Sequence, residues 1–284
     1  MVLNKLKALA FTTLFLPAIS FADSLSLIDR MVPPEDISKH GHLITWLFNY
    51  TTYLNLFFFL LVCAGLFGFS YLYSHKRHPK AHYTYGNKKV HMMVSLAIGI
   101  SVFVGIDMNI TRISNNDYIG VFTNWPDETK EDVERIEIMA QQWAWNFRYA
   151  GKDGVFNTED DVLTLNDLRL PTDKKIVFQL ISKDVVHSFY VPNLLQKVDA
   201  IPGRMTRMWT EITKPGTYDI ACAEMCGTYH YRMQAKLTVY TPEDYADWLN
   251  KAQEKAIEEN DIENPETFWG WKWQMNTKKV VGEK

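Results

Sequence analysis

The stretch "CAEMCGTYHYRM", Cys222 to Met233, places two cysteines, a glutamate, a histidine and a methionine side by side in a chain with only three cysteines. A disulfide between Cys222 and Cys226 is one reading, open to any domain in an oxidising compartment. The neighbours point to a second. His230 follows Cys226 by four positions and Met233 follows it by seven. Thioether sulfur is a soft donor that suits copper, whereas structural zinc draws on Cys, His and carboxylate. A mononuclear blue-copper site takes one Cys, two His and a weak Met. The additional cysteine suggests two ions bridged by two thiolates. Such a site needs another imidazole, and "DVVHSFYVP" offers His187 after a strand pattern.

Around this segment the sequence reads as β-structure. "KKIVFQLI" and "RMWTEI" look like strands, "KPGTYDIAC" and "QAKLTVY" have a turn-then-strand character, and "RIEIMAQQWAWNFRY" alternates over much of its length. Several short strands within residues 131–240 predict an antiparallel sandwich or barrel. Beyond it, Thr241 can cap a helix that starts at Pro242, with Glu243 and Asp244 in the first turn. Tyr245, Trp248, Leu249, Ala252 and Ala256 then form one apolar stripe. Residues 241–284 are read as this helix and a tail; the tail's "FWGWKW" has no assignment.

Upstream the chain turns apolar. From Gly41 to Tyr73 there is no Lys, Arg, Asp or Glu. Leu54 to Tyr73 alone spans about 30 Å as a helix, one hydrocarbon core. A second span runs from Val90 to Ile106, and the pair forms a membrane hairpin over residues 41–110, with a polar linker at 111–130. Cys63 lies mid-span as plain packing. The loop between the spans carries Lys76, Arg77, Lys80, Lys88 and Lys89 and no acid, which places it in the cytoplasm and the β-domain outside. The N-terminus agrees: Lys5 and Lys7, an apolar run and Ser20-Phe21-Ala22 predict a signal peptide over 1–22. The formal net charge of -3 argues against nucleic acid as a partner.

At these residues the chain resembles subunit II of haem–copper cytochrome c oxidase. "VVHSFYVP", "KVDAIPGR" and "CAEMCGTYHYRM" carry the likeness, and the pattern C-x-E-x-C-x-x-x-H-x-x-M is matched at every position. The resemblance implies two transmembrane helices followed by an all-β, cupredoxin-like Greek-key sandwich with a dinuclear copper A centre. It implies that Cys222 and Cys226 bridge both ions, that His187 and Met233 complete one, and that His230 and the Glu224 carbonyl complete the other. The Glu224 side chain would reach a magnesium ion at subunit I, and Asp199 and Arg204 of "KVDAIPGR" would lie at that same boundary.

The family further implies a c-type cytochrome donor, with Trp143 of "QQWAWNFRY" receiving the electron. Trp143 and Trp145 would share a face if this run is one strand. Asp184 matches a family docking acid, and Asp153, Glu159, Asp160 and Asp161 form an acidic stretch that could steer the donor. That stretch also hints at calcium, without the EF-hand spacing. Electrons would pass to the haem of subunit I for oxygen reduction coupled to proton translocation, in a bacterial inner membrane with other oxidase subunits and lipid as neighbours. Where the family often has a glutamate at the cytoplasmic start of the second span, this chain has His91, which titrates near neutrality and could relay protons.

Rival functions fit less well. A quinol oxidase subunit would have lost the copper ligands. Nitrous oxide reductase needs a large further catalytic domain. A fused cytochrome needs C-x-x-C-H, which does not occur. A copper-binding assembly or storage protein of the same fold would have no use for Trp143 or a docking surface.

Overall fold

The computed structural model describes residues 33–80, 83–130, 132–261 and 263–264. The expected signal peptide and the tail from residue 265 lie outside the described residues. The chain divides into two units, Met1–Asp36 and Ile37–Lys284, and the elements named here belong to the second.

Two helices open it: α1, Gly41–Leu72, with 32 residues, and α2, Lys89–Phe122, with 34. At ~1.5 Å per residue both exceed one hydrocarbon core of about 30 Å, and their apolar sides are uncovered. The hydropathy reading ended the second span at Ile106 and took 111–130 as a linker; the helix instead continues to Phe122. "NITRISNND" is too polar for lipid, yet no proline interrupts the helix before Pro126, and intrahelical bonds such as Thr111 Oγ1 to the Asp107 carbonyl (2.8 Å) hold it together. Two stretches, Phe103–Asp107 and Tyr118–Phe122, are wound as π-helix. The true linker is short and pinned: the Trp209 indole donates to the Phe122 carbonyl (3.2 Å), and Arg207 pairs with Glu128 and covers the Trp125 ring at 4.7 Å.

Among the described residues the sandwich has ten strands: β1 Val133–Gln141, β2 Ala144–Tyr149, β3 Val162–Leu165, β4 Asp167–Pro171, β5 Lys175–Ser182, β6 His187–Val191, β7 Gln196–Ala200, β8 Thr206–Glu211, β9 Gly216–Cys222 and β10 Gln234–Tyr240. They form two five-stranded sheets, ordered β3-β2-β1-β5-β8 and β4-β10-β9-β6-β7. The expected two-layer architecture is present, but not wholly antiparallel: β1 pairs parallel with β5, and β4 with β10. Ile136, Ile138, Trp145, Phe147, Phe178, Phe189 and Leu237 fill the space between the sheets. Residues 37–39 add to the edge, with buried Ile37 accepting from the Thr213 N–H and donating to the Asn193 carbonyl. A closing helix, α3, runs over Pro242–Glu259, and Thr241 Oγ1 caps it by accepting from the Asp244 N–H (3.3 Å). Its stripe of Trp248, Leu249, Ala252 and Ala256 packs on the core, as the spacing predicts.

β1 is buried on both faces. Its outer face carries Glu137 directly across from Arg148 of β2, and the two are ion-paired with essentially no exposure. The 150–161 loop closes over them. Asn157 Oδ1 accepts from Arg148 (2.7 Å), Asp161 lies 3.6 Å from the guanidinium, and the Phe156 ring sits 5.6 Å from it. Two carboxylates and one guanidinium leave one surplus negative charge, and Glu137 Oε1 and Asp161 Oδ1 have no hydrogen-bond partner. Burial pushes the Asp161 carboxyl up to about 7, only partly opposed by Arg148. An unfolded aspartate titrates near ~3.9. Between those values the folded protein holds a proton that the unfolded chain gives up, so this group's contribution to stability is full at low pH and is lost as pH rises towards 7. Asp161→Asn is therefore expected to remove a few kcal/mol of pH dependence across that window. Thermal melts of the detergent-solubilised chain near either end of the window test it; an undiminished difference would place the proton elsewhere.

Candidate metal centre

β9 ends at Cys222 and β10 begins at Gln234, so the quoted stretch is the loop between two neighbouring strands of one sheet. A loop fixed at both ends to a ladder holds its side chains still. The backbone closes it further: the Cys222 N–H donates to the Met233 carbonyl (3.1 Å), and the Ala223 N–H to the Ser188 carbonyl (2.9 Å). The second bond ties the loop to β6, whose first residue is His187.

Five side chains and one carbonyl converge. The two cysteine sulfurs are 3.7 Å apart, too far for a disulfide of ~2.05 Å, and both cysteines are free. Cys226 Sγ lies 3.5 Å from His230 Nδ1 and 3.8 Å from Met233 Sδ. Cys222 Sγ lies 3.9 Å from His187 Nδ1 and 3.2 Å from the Glu224 carbonyl oxygen. His187, Cys226 and Met233 are buried. The cysteines differ in acidity. Burial raises the Cys222 thiol, but contacts to His187 and to the Glu224 and Ser188 backbone outweigh it and bring the group to about 6. Burial and the Cys222 charge push Cys226 up to about 12. The metal-free pair therefore holds one proton at neutral pH, which a metal ion would displace.

Trp143 lies beside this cluster, but not as a strand residue. "RIEIMAQQWAWNFRY" is a hairpin, with Gln142 and Trp143 as the two residues of the β1–β2 turn. The tryptophans consequently part company: Trp145 is fully buried against His187 and Phe189, while Trp143 is half-buried at the turn. The Trp143 indole donates to the Cys226 carbonyl (3.2 Å) and meets the Tyr229 ring edge-on at 4.8 Å. Gln142 Nε2 donates to that same carbonyl (2.8 Å). Gly227 makes the approach possible: at φ +115° it sits where a Cβ would lie 3.0 Å from Gln142 Nε2 and 3.3 Å from the indole. Gln142, Gly227 and Tyr229 were not singled out from sequence; their nearness to Trp143 and to the ligand run was the available signal.

Asp184 also belongs to the cluster. Its carboxyl contacts His187 Nε2 (2.8 Å) and accepts from the Gln142 and Val185 N–H groups. Burial raises this carboxyl, yet these bonds prevail and hold it below the ordinary aspartate value. The other acids expected near Trp143 are elsewhere. They lie on the loop after β2, which begins at the Trp143 turn and ends at Tyr149, ~17 Å along the strand. Asp161 is fully buried beside Arg148, and Asp160 accepts from Thr158 Oγ1 and the Lys152 N–H, while Asp153 and Glu159 are exposed at that distant end. Within the loop, Asn157 and Asp161 turn to the Arg148 guanidinium and Asp160 to the loop's own backbone and Thr158. Asp199 lies on edge strand β7, which pairs with β6 of His187, and Arg204 is exposed in the turn that follows. Glu224 is exposed, and His91 is exposed in the first turn of α2.

The chain has relatives among known proteins. Residues 135–239 match the family model for the periplasmic domain of cytochrome c oxidase subunit II. The chain is 32% identical over 225 residues to the alternative cytochrome c oxidase subunit 2 of Bradyrhizobium diazoefficiens, covering 72% of this chain and 78% of that one. It is 28% identical over 243 residues to cytochrome c oxidase subunit 2 of Alkalihalophilus pseudofirmus, covering 85% of this chain and 66% of the relative. Among solved structures, the periplasmic domain of subunit II of cytochrome oxidase from Bradyrhizobium japonicum aligns at 26% identity with a TM-score of 0.39, over 43% of this chain and 94% of that one.

Proposed function

Because the chain belongs to the cytochrome c oxidase subunit II family, we propose that its sandwich holds a dinuclear copper A centre that takes electrons from a c-type cytochrome and passes them to the haem of subunit I. Oxygen reduction and proton translocation would then be activities of the assembled complex. The two long apolar helices and the periplasmic-domain family mark a membrane-anchored subunit; a bacterial inner membrane is part of the proposal.

The observation that carries the reading is the pair of free sulfurs 3.7 Å apart. At metal–sulfur lengths of ~2.3 Å, two sulfurs at this separation can share an ion. Each sulfur has two further donors beside it: His187 and the Glu224 carbonyl at Cys222, His230 and Met233 at Cys226. That suffices for two ions, each taking one donor from either side, which is the division the family implies. When bound, the copper pair supplies a one-electron couple shared between two ions. The protein's own residues would hold the ligands on β6, β9 and the β9–β10 loop, with the Trp143 indole against the Cys226 carbonyl. The exposed Met225, Tyr229 and Tyr231 give the loop an apolar outer surface that suits a protein partner. Within the proposal, the Glu224 carboxylate meets a magnesium ion at subunit I, Asp199 and Arg204 contact that subunit, and Asp184 contributes negative charge to donor docking. His91 stands at the basic end of α2, where protons would be taken up.

Metal analysis of the full chain, purified in detergent and loaded with copper, tests this reading. Two coppers per chain and a purple, mixed-valence spectrum are expected. A preference for zinc, or one copper with a single blue band, would overturn it.

A further inference from the structure

We propose that Asp184 is a positioning residue that fixes the metal-facing nitrogen of His187 and locks it to the turn bearing Trp143; this rests on the copper reading above. The carboxylate divides its oxygens between the two sheets. Oδ1 takes the His187 Nε2 contact (2.8 Å) and the Val185 N–H (2.7 Å), on the side of β6. Oδ2 takes the Gln142 N–H (2.6 Å), in the β1–β2 turn. An ionised carboxylate can only accept, so of the two neutral tautomers of His187 the contact selects the one with its proton on Nε2. Nδ1 is then left with a free lone pair, and it is the nitrogen that faces Cys222 Sγ at 3.9 Å. A carboxylate behind a ligating imidazole sets tautomer and ring angle and strengthens the donor.

The other oxygen extends that control to the surface. Gln142, held by Asp184 through its backbone, sends its side-chain amide to the Cys226 carbonyl, and the next residue's indole donates to the same oxygen. His187, the Trp143 turn and Cys226 are therefore joined in one hydrogen-bonded chain that runs through Asp184. A purely surface charge would explain none of these three contacts. It follows that replacing Asp184 alters the centre itself as well as the donor's approach.

The test uses the full chain in detergent, loaded with copper, and reads the visible spectrum and the rate of copper loss to a chelator. Asp184→Ala removes both oxygens. Copper retention is expected to fall roughly 10–100-fold, the usual cost of losing such a partner, with a shifted band. Asp184→Asn keeps the acceptor for His187 but turns an N–H₂ towards the Gln142 N–H, so it should recover most of the copper retention. Asp153→Asn, at the far end of the sandwich, should match the parent on both readouts. If Asp184→Ala keeps the parent's band and copper-loss rate, Asp184 acts only as surface charge and the inference is wrong. A parent chain that takes up no copper overturns the proposed function instead, so the two failures are separable.

Discussion

Cys226→Ser is expected to abolish the dinuclear centre while leaving the sandwich folded. Cys226 Sγ is the hub of the cluster, within 3.8 Å of the Cys222, His230 and Met233 donor atoms. A serine hydroxyl is a hard donor that stays protonated at neutral pH, so it replaces neither the charge nor the softness of the sulfur. A four-ligand zinc site gains about 10–16 kcal/mol, which makes one ligand worth roughly 3 kcal/mol, or ~10²-fold in affinity. A bridging thiolate serves two ions, so its loss should cost about 10⁴-fold in total. The variant should bind at most one copper, show no mixed-valence band and accept no electrons from a c-type cytochrome. Its metal-free melting temperature should stay near the parent's, because Ser is close in volume to Cys. Copper-to-protein ratio and spectrum decide the matter: a Cys226→Ser chain holding two coppers with the parent's colour would mean the sulfurs do not bridge.

How much of this was legible beforehand depended on whether the physics is local. The ligand loop could be read because one β9–β10 connection supplies most of the donors, and chemistry at fixed short spacing leaves a pattern. Strands β5, β8, β9 and β10 are legible as short runs rich in β-branched, aromatic and other apolar residues, the last two with a turn-then-strand character. The β1–β2 hairpin is not, because its turn is Gln142-Trp143 rather than Gly or Asn; its one local trace is the shift of core positions from even numbers (Ile136, Ile138, Ala140) to odd ones (Trp145, Phe147, Tyr149). The parallel pairing of β1 with β5 is non-local, and no single segment encodes it. Helix α2 was cut short because hydropathy reports where lipid ends, not where a helix ends. The acidic loop misled for a similar reason. Its charges can be counted from sequence, but only the fold shows that Asp161 is buried beside Arg148 while Asp184, a lone acid in the sequence, contacts His187.

Trp143→Gln should separate electron acceptance from metal binding. The indole is not among the donors around the sulfurs, and Gln retains an N–H₂ able to reach the Cys226 carbonyl now held by the indole and by Gln142. Two coppers and a nearly unchanged spectrum are therefore expected. The edge-on contact with Tyr229 is lost, however, and with it the aromatic surface over the Cys226 carbonyl. The neighbouring Trp145 cannot substitute, because it is fully buried behind His187. The rate of electron acceptance from a reduced c-type cytochrome should fall by roughly 10²-fold, the scale on which lost positioning acts. Donor affinity should change far less, since charge rather than the indole steers association. Stopped-flow transfer at several salt concentrations distinguishes the two quantities, because screening weakens steering and leaves the transfer step after docking untouched. If the variant accepts electrons at the parent's rate, the path to the sulfurs runs through another exposed ring of the loop, and Tyr231, which is 70% exposed, is the next to replace.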